Sequence, residues 1–197
     1  MEIKHEPRPE GREMPQPGAS YAAPLDLLDA CHQRVRRSLA LLHRLSAHVA
    51  AHGADEDAAR AATDVLRYFD IAAPLHHEDE ERHVFPLFEH GGDEPGLAAA
   101  CAALRDEHLQ IATLWQQRLR PLLDAVRLRT AGLDADALKH AAADFAAVHA
   151  RHLEHEDRLV FPAAAARLDV AAQQAMGLEM AARRGLDLSG SAARESR

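Results

Sequence analysis

Apolar residues recur every three or four positions along most of this chain, a spacing typical of amphipathic helices. Breaks rich in Gly, Pro and Asp divide the pattern into four long segments and a short one. We predict helices over 24–52, 55–89, 97–128 and 134–166, then a short helix from Asp169 to about Arg184. Short connections between long helices favour antiparallel neighbours, so we predict an all-α, up-down-up-down four-helix bundle with a short C-terminal helix.

Individual residues support these boundaries and predict where the helices bend. Gly53 lies just past the first helix, as glycine commonly does at helix ends. Asp134 is a predicted N-cap of the fourth helix. Pro74 and Pro121 fall inside predicted helices and should kink them.

Each apolar stripe is interrupted near its middle by residues of the types that bind metals. Buried His and Glu side chains cost free energy unless something satisfies them. The interruptions are His32 in the first helix, His76 and Glu80 in the second, His108 in the third, and His149, His152 and Glu156 in the fourth. The fourth stripe then continues to Leu159.

The ligand-type residues belong to an internal repeat with an offset of 76 positions. HHEDEERHVFP begins at residue 76 and HLEHEDRLVFP at residue 152, with seven of the eleven positions identical. His108 follows His32 by the same offset. Two copies of a helical hairpin can pack about a pseudo-two-fold axis, and His and Glu four residues apart share one helix face. We therefore expect six side chains to meet at the centre of the bundle.

The predicted metal ligands are His32, His76, Glu80, His108, His152 and Glu156. Six ligands are too many for a tetrahedral structural zinc site and suit two ions bridged by carboxylates. Imidazole with carboxylate suits iron, while zinc, copper and manganese remain open. A helical bundle with merely solvated histidines is the alternative, but it leaves the coincident phase and offset unexplained.

These residues make the chain resemble the hemerythrin-like, HHE cation-binding domain proteins over about residues 22–166. The motifs that carry the resemblance are DACHQRV around His32, RDEHLQI around His108, and the two HxxxE motifs with their trailing Phe-Pro. The resemblance implies a four-helix bundle that holds a non-haem di-iron centre, oxo- or hydroxo-bridged. It also implies an open position that binds O₂ or a related small ligand.

The chain departs from the oxygen-carrying members of that family at two places. Those proteins have a second histidine one turn along the third helix, where this chain has Leu104 and Ala112. They also use an Asp five residues after the fourth-helix His, which here is Asp157. The internal repeat favours Glu156 instead. We therefore rank Asp157 and Glu81 below Glu156 and Glu80 as candidate ligands.

Two further histidines are candidate ligands with alternative roles. His77 follows His76 directly, at a position where some hemerythrin-like proteins place an extra ligand, and is otherwise a surface or supporting residue. His149 lies one turn before His152 and is either a ligand or a hydrogen-bonded core histidine. A seventh ligand could also be water.

Composition narrows the partners and the location. The formal net charge is -8 with no basic stripe, which argues against nucleic acid or an anionic membrane as partner. The first residues have no apolar stretch of a signal peptide, and no apolar run approaches the ~20 residues of a membrane span. We expect a cytoplasmic protein with one domain over 21–185 and disordered segments at 1–20 and 186–197.

The histidine-rich set favours a binding protein over an oxidase. Ferritin-like oxidases carry Glu-x-x-His on two helices and further Glu on the others. Here the lone ligands are histidines, so we expect a di-iron protein that binds or senses O₂, NO or peroxide. The alternatives are a di-iron enzyme acting on peroxide or NO or in iron-site repair, and a metal-storage or structural metal bundle. A protein partner or a homodimer stays open.

Overall fold

The structure, a computed structural model, describes residues 20–89 and 94–187. Helix α1 is Pro24–His52, α2 covers 56–89, α3 covers 95–127, α4 covers 135–167, and α5 is Val170–Arg183. Each of the four long helices packs on two others, α1 and α3 both lying between α2 and α4. The predicted four-helix bundle with a short C-terminal helix is confirmed. The predicted disordered segments fall almost entirely outside the described residues.

Local sequence accounts for the helix ends. Asp134 and Asp169 accept backbone N–H bonds from Ala137 at 2.9 Å and Ala172 at 2.8 Å, which caps α4 and α5. Gly53 ends α1 with a φ of 80°, a left-handed conformation that favours glycine. These boundaries lie within two residues of the predicted ones.

Single π-helical turns interrupt α2, α3 and α4. They are Tyr68–Ala72, Glu80–Val84, Trp115–Leu119 and Glu156–Val160. Each is followed two residues later by a proline, at positions 74, 86, 121 and 162. The residue before each proline donates its N–H to the carbonyl five residues back, as Phe85 does to Glu80 at 2.9 Å. Because the proline ring would clash with the carbonyl four residues back, the widened turn relieves the clash. The kinks expected at Pro74 and Pro121 stay a prediction.

The widened turns change which residues face the core. The uniform helical spacing predicts that Leu159 is buried, but its side chain is 46% exposed and Val160 is fully buried instead. The extra residue in the turn Glu156–Val160 rotates the following residues by one position around the helix axis. The prediction for Leu159 was therefore wrong.

The apolar core consists of two clusters separated along the bundle by the polar residues. One cluster contains Leu42, Phe69 and Phe145, and the other contains Leu28 and Phe85. The buried polar residues between them lie at mid-height on all four long helices. Water is therefore excluded from both ends of the polar layer.

Helix α5 is held against the bundle by both apolar and ionic contacts. Its Met180 is buried in the second cluster, and Gly177 lies so close to the backbone carbonyl of Tyr21 that a Cβ would overlap it. Arg183 and Arg184 both pair with the fully buried carboxylate of Asp79, which directly precedes Glu80. The C-terminal helix therefore neutralises a buried charge next to the polar layer.

Candidate metal centre

The structure brings all six predicted ligand side chains together at the centre of the bundle. All four long helices contribute, and none of the six residues is more than 5% exposed. The set is His32 from α1, His76 and Glu80 from α2, His108 from α3, and His152 and Glu156 from α4.

The carboxylate of Glu80 lies between three imidazoles. Its Oε1 is 3.2 Å from His76 Nε2 and 3.5 Å from His32 Nε2, while Oε2 is 3.5 Å from His108 Nε2. The two oxygens of one carboxylate thus face different histidines, which is the arrangement a bridging ligand needs.

Glu156 occupies the corresponding place on the opposite side. Its Oε2 is 3.1 Å from His32 Nε2 and 3.2 Å from His152 Nε2. The Nε2 atoms of His152 and His108 are 3.2 Å apart. The internal repeat therefore produces two carboxylates that each contact histidines from both hairpins.

Donor atoms within 4.8 Å of one another form two overlapping groups of four and one group of three. These are His32, His76, Glu80 and Glu156; Glu80, His108, His152 and Glu156; and His77, His108 and His152. The two larger groups share both carboxylates. The geometry therefore suits two neighbouring cations with Glu80 and Glu156 in common.

The unsatisfied polar atoms also fit cations. Both carboxylate oxygens of Glu80 and Glu156, Nε2 of His32 and both ring nitrogens of His76 are buried without a hydrogen-bond partner within the described chain. An unpaired buried carboxylate is costly, and metal coordination is one of the few ways to satisfy it.

Two further carboxylates accept hydrogen bonds from the outer ring nitrogens of His32 and His108. Asp157 accepts from Nδ1 of His32 at 2.6 Å, and Glu81 accepts from Nδ1 of His108 at 2.7 Å. Each bond turns the opposite nitrogen, Nε2, towards the centre. The sequence ranked Asp157 and Glu81 as alternative ligands, whereas the structure places them behind the histidines. Their shared offset of 76 positions was the signal for this supporting role.

Of the two HxxxE histidines, His152 and His76, one has a hydrogen-bond partner at its outer nitrogen and the other does not. The sequence did not reveal this difference. Nδ1 of His152 donates to Glu107 at 3.2 Å. The position 76 residues before Glu107 is Cys31, and Nδ1 of His76 has no hydrogen-bond partner in the described part of the chain. The two halves of the site are therefore chemically different.

The two additional candidate histidines lie in different surroundings. The ring of His77 stacks on His108 with centroids 4.0 Å apart, and a ring nitrogen of His77 belongs to the group of three. His149 donates Nδ1 to the carbonyl of Phe145 at 3.0 Å and packs edge-on against Phe69. The geometry thus joins His77 to the centre and makes His149 a hydrogen-bonded core histidine.

In the metal-free protein, protons occupy the cluster. Burial alone would neutralise His32, but its hydrogen bond to Asp157 and the nearby carboxylates of Glu156 and Glu80 raise its pKa to about 11. Burial, together with the charge of Glu80, raises the pKa of Glu156 to about 8. Burial lowers the pKa of His76 to about 4, so this imidazole is neutral. Protons on His32 and Glu156 therefore balance the charge of Glu80 in the metal-free cluster.

These features define a class of protein, a helical bundle with a buried histidine–carboxylate centre for cations. Comparison with known proteins agrees: the family model for the hemerythrin HHE cation binding domain matches residues 23–164, and the chain belongs to that family. An uncharacterized protein of Haemophilus influenzae is 29% identical over 170 residues, which cover 86% of this chain and 95% of that protein. In the described ranges, no helix is both long enough and apolar enough to cross a membrane.

Proposed function

We propose that this protein holds two iron ions at the buried centre and reversibly binds O₂ or a related small molecule such as NO. The observation that carries the proposal is the pair of overlapping donor groups that share Glu80 and Glu156. The imidazole and carboxylate donors suit iron, and zinc and manganese accept them too. Iron is proposed because zinc has no redox chemistry with which to bind O₂. When bound, the iron pair would supply a redox-active position for a small ligand.

The two positions differ in how many protein ligands they offer. His32 and His76 hold one position, while His77, His108 and His152 surround the other. Both positions share the two carboxylates. The position with two imidazoles would therefore leave more room for an external ligand than the position with three.

The rest of the chain keeps the centre dry and its ligands fixed. The rings of Phe161 and Phe85 stack on His32 and His108 at 4.8 and 5.6 Å. Carboxylates at the outer nitrogens lock the tautomer of three imidazoles. An apolar enclosure that excludes water would suppress side reactions of a bound ligand, and this suits reversible binding better than oxidation.

The test is metal content and absorption of protein purified aerobically from cells supplied with iron. We expect about two irons per chain, with ferric bands that bleach with dithionite and return in air. His152→Ala should abolish the bands, and His155→Ala, an exposed neighbour, should retain them. Sub-stoichiometric or spectroscopically silent metal in the wild type would refute the proposal and favour a structural metal.

A further inference from the structure

A groove between α1 and α4 reaches from the surface to the wall of the candidate centre. Its volume is about 560 Å³. The floor is apolar and formed mostly by small side chains: Leu39, Ala40, Ala146, Ala150 and Leu153. The volume falls within the range of small-molecule pockets, about 300–1,000 Å³.

The inner wall of the groove is one side chain thick. Asp157 lines the groove and also holds Nδ1 of His32 at 2.6 Å. Leu153 lines it as well and directly follows His152. Since His32 itself is fully buried, the groove ends against the side chains that support the position with two imidazoles.

The internal repeat shows that the opposite side of the bundle is closed by larger side chains. Trp115 stands 76 positions after Leu39, and Asp70 stands 76 positions before Ala146. The indole Nε1 of Trp115 donates to Asp70 at 2.9 Å, and this tryptophan is 4% exposed. On the groove side, Leu and Ala leave the corresponding volume open.

The same comparison holds next to the metal positions. Leu153 is the counterpart of His77, whose ring stacks on His108 and occupies the space beside it. One side of the centre is thus filled by an aromatic plug and an extra imidazole. The other side has a leucine and a groove.

The charges around the groove do not select an ion. Arg36 is paired with Asp157, and Arg158 Nη1 is paired with Glu154 Oε1 at 2.7 Å. All four charged side chains on the groove are therefore compensated, and an anion would have to break an existing pair. An apolar floor with a neutralised rim favours a small uncharged molecule.

We propose that this groove is the route by which a neutral molecule of the size of O₂ or NO reaches the position held by His32 and His76, past Leu153 and the Asp157–Arg36 pair. The inference rests on the proposed function, because it assigns the path for the ligand of that same site. The ligand passes through the groove and does not remain there.

The test introduces the large residues of the closed side at the corresponding positions of the groove. The double variant Leu39→Trp/Ala146→Asp installs the counterparts of Trp115 and Asp70 in the groove, and the single variant Ala150→Phe fills its exposed floor. Stopped-flow absorption would follow binding of NO to the dithionite-reduced, iron-loaded protein. We expect association and dissociation both to slow by about tenfold or more, with unchanged affinity and spectrum, because a barrier on the path affects entrance and exit equally.

The matched control is Gln116→Trp, which adds the same bulk to the side that is already closed. Gln116 is the exposed counterpart of Ala40, so its replacement should leave both rates unchanged. Unaltered rates in both groove variants would overturn the route, as would slowing of the same size in the control.

A second measurement does not depend on iron. In the metal-free protein, Leu153→Cys should react with methyl methanethiolsulfonate much faster than Cys101, which is fully buried. The partly exposed Cys31 is replaced by Ser in every protein compared, so that it does not contribute to the labelling. Adding Leu39→Trp/Ala146→Asp should suppress that reaction. If wild-type protein binds no NO, the proposed function fails while this labelling still decides the route. A Cys at 153 that stays as unreactive as Cys101 would refute the route alone.

Discussion

Loading the centre with a divalent metal should release protons, in a number that follows from the structure. Metal ligands must be deprotonated, and the metal-free cluster holds protons on His32 and Glu156. The hydrogen bond to Asp157 and the nearby carboxylates of Glu156 and Glu80 overcome burial and raise the pKa of His32 to about 11. Burial and the charge of Glu80 raise the pKa of Glu156 to about 8.

The direction of the pH dependence follows from these shifts. At pH 7, His32 and Glu156 are both mostly protonated in the metal-free cluster, so these two groups should release up to about two protons per site. As the pH rises towards 8.5 the share from Glu156 falls, because more of its carboxyl is ionised before metal arrives. His108, whose pKa is raised by the carboxylates of Glu80 and Glu81, changes the release in the same direction. Release should therefore decrease between pH 7 and pH 8.5.

Calorimetry in two buffers of different ionisation enthalpy measures this release. Zinc serves as the probe, since it does not change oxidation state. Glu156→Gln has no proton to lose at this position, so its release should be lower by about one at pH 7 and should fall less than that of the wild type between pH 7 and 8.5. Equal release from the wild type and this variant, or release that rises with pH, would refute the proposed protonation of the cluster.

Three further predictions follow from individual contacts. Asp157→Asn should weaken metal binding by about 10- to 100-fold in chelator competition, because the carboxylate of Asp157 orients the ring of His32. The control Glu154→Gln, at a nearby exposed carboxylate, should change the metal affinity little. His77→Leu installs the residue found at its repeat counterpart, and it should reduce the metal retained per chain on dialysis, which unchanged retention would contradict. Gly177→Ala should lower the melting temperature through a loss of about 1–3 kcal/mol, since the new Cβ overlaps the carbonyl of Tyr21; an unchanged melting curve would show that α5 adjusts freely.

The bundle and the six central residues could be predicted from the sequence because two independent periodicities agree. The three-to-four spacing gives the buried face of each helix, and the 76-residue offset pairs His32 with His108. A chance histidine satisfies one of these conditions far more often than both. The family and the fold are confirmed, and the role of the six residues as ligands remains a prediction.

The phase of the residues after each π-helical turn could not be predicted from a uniform helical spacing. Leu159 was expected in the core because it lies three residues after Glu156. The five-residue turn that begins at Glu156 places Val160 there instead. The signal was present in the recurring Phe-Pro, since Pro162 cannot follow an ordinary turn without a clash. A proline inside a long helical pattern therefore predicts a shift of phase as well as a bend.

The residues that break the repeat are as informative as those that keep it. Leu153 is the repeat counterpart of His77, and Leu39 is the repeat counterpart of Trp115. Both differences act in one direction, since they add imidazole and bulk beside His108 and leave space on the side of His32. A symmetric centre would bind two equal ions equally well and offer no preferred side for a ligand. The observed asymmetry instead supports the proposal that one half of the duplicated site retains metal and the other exchanges ligand with the outside.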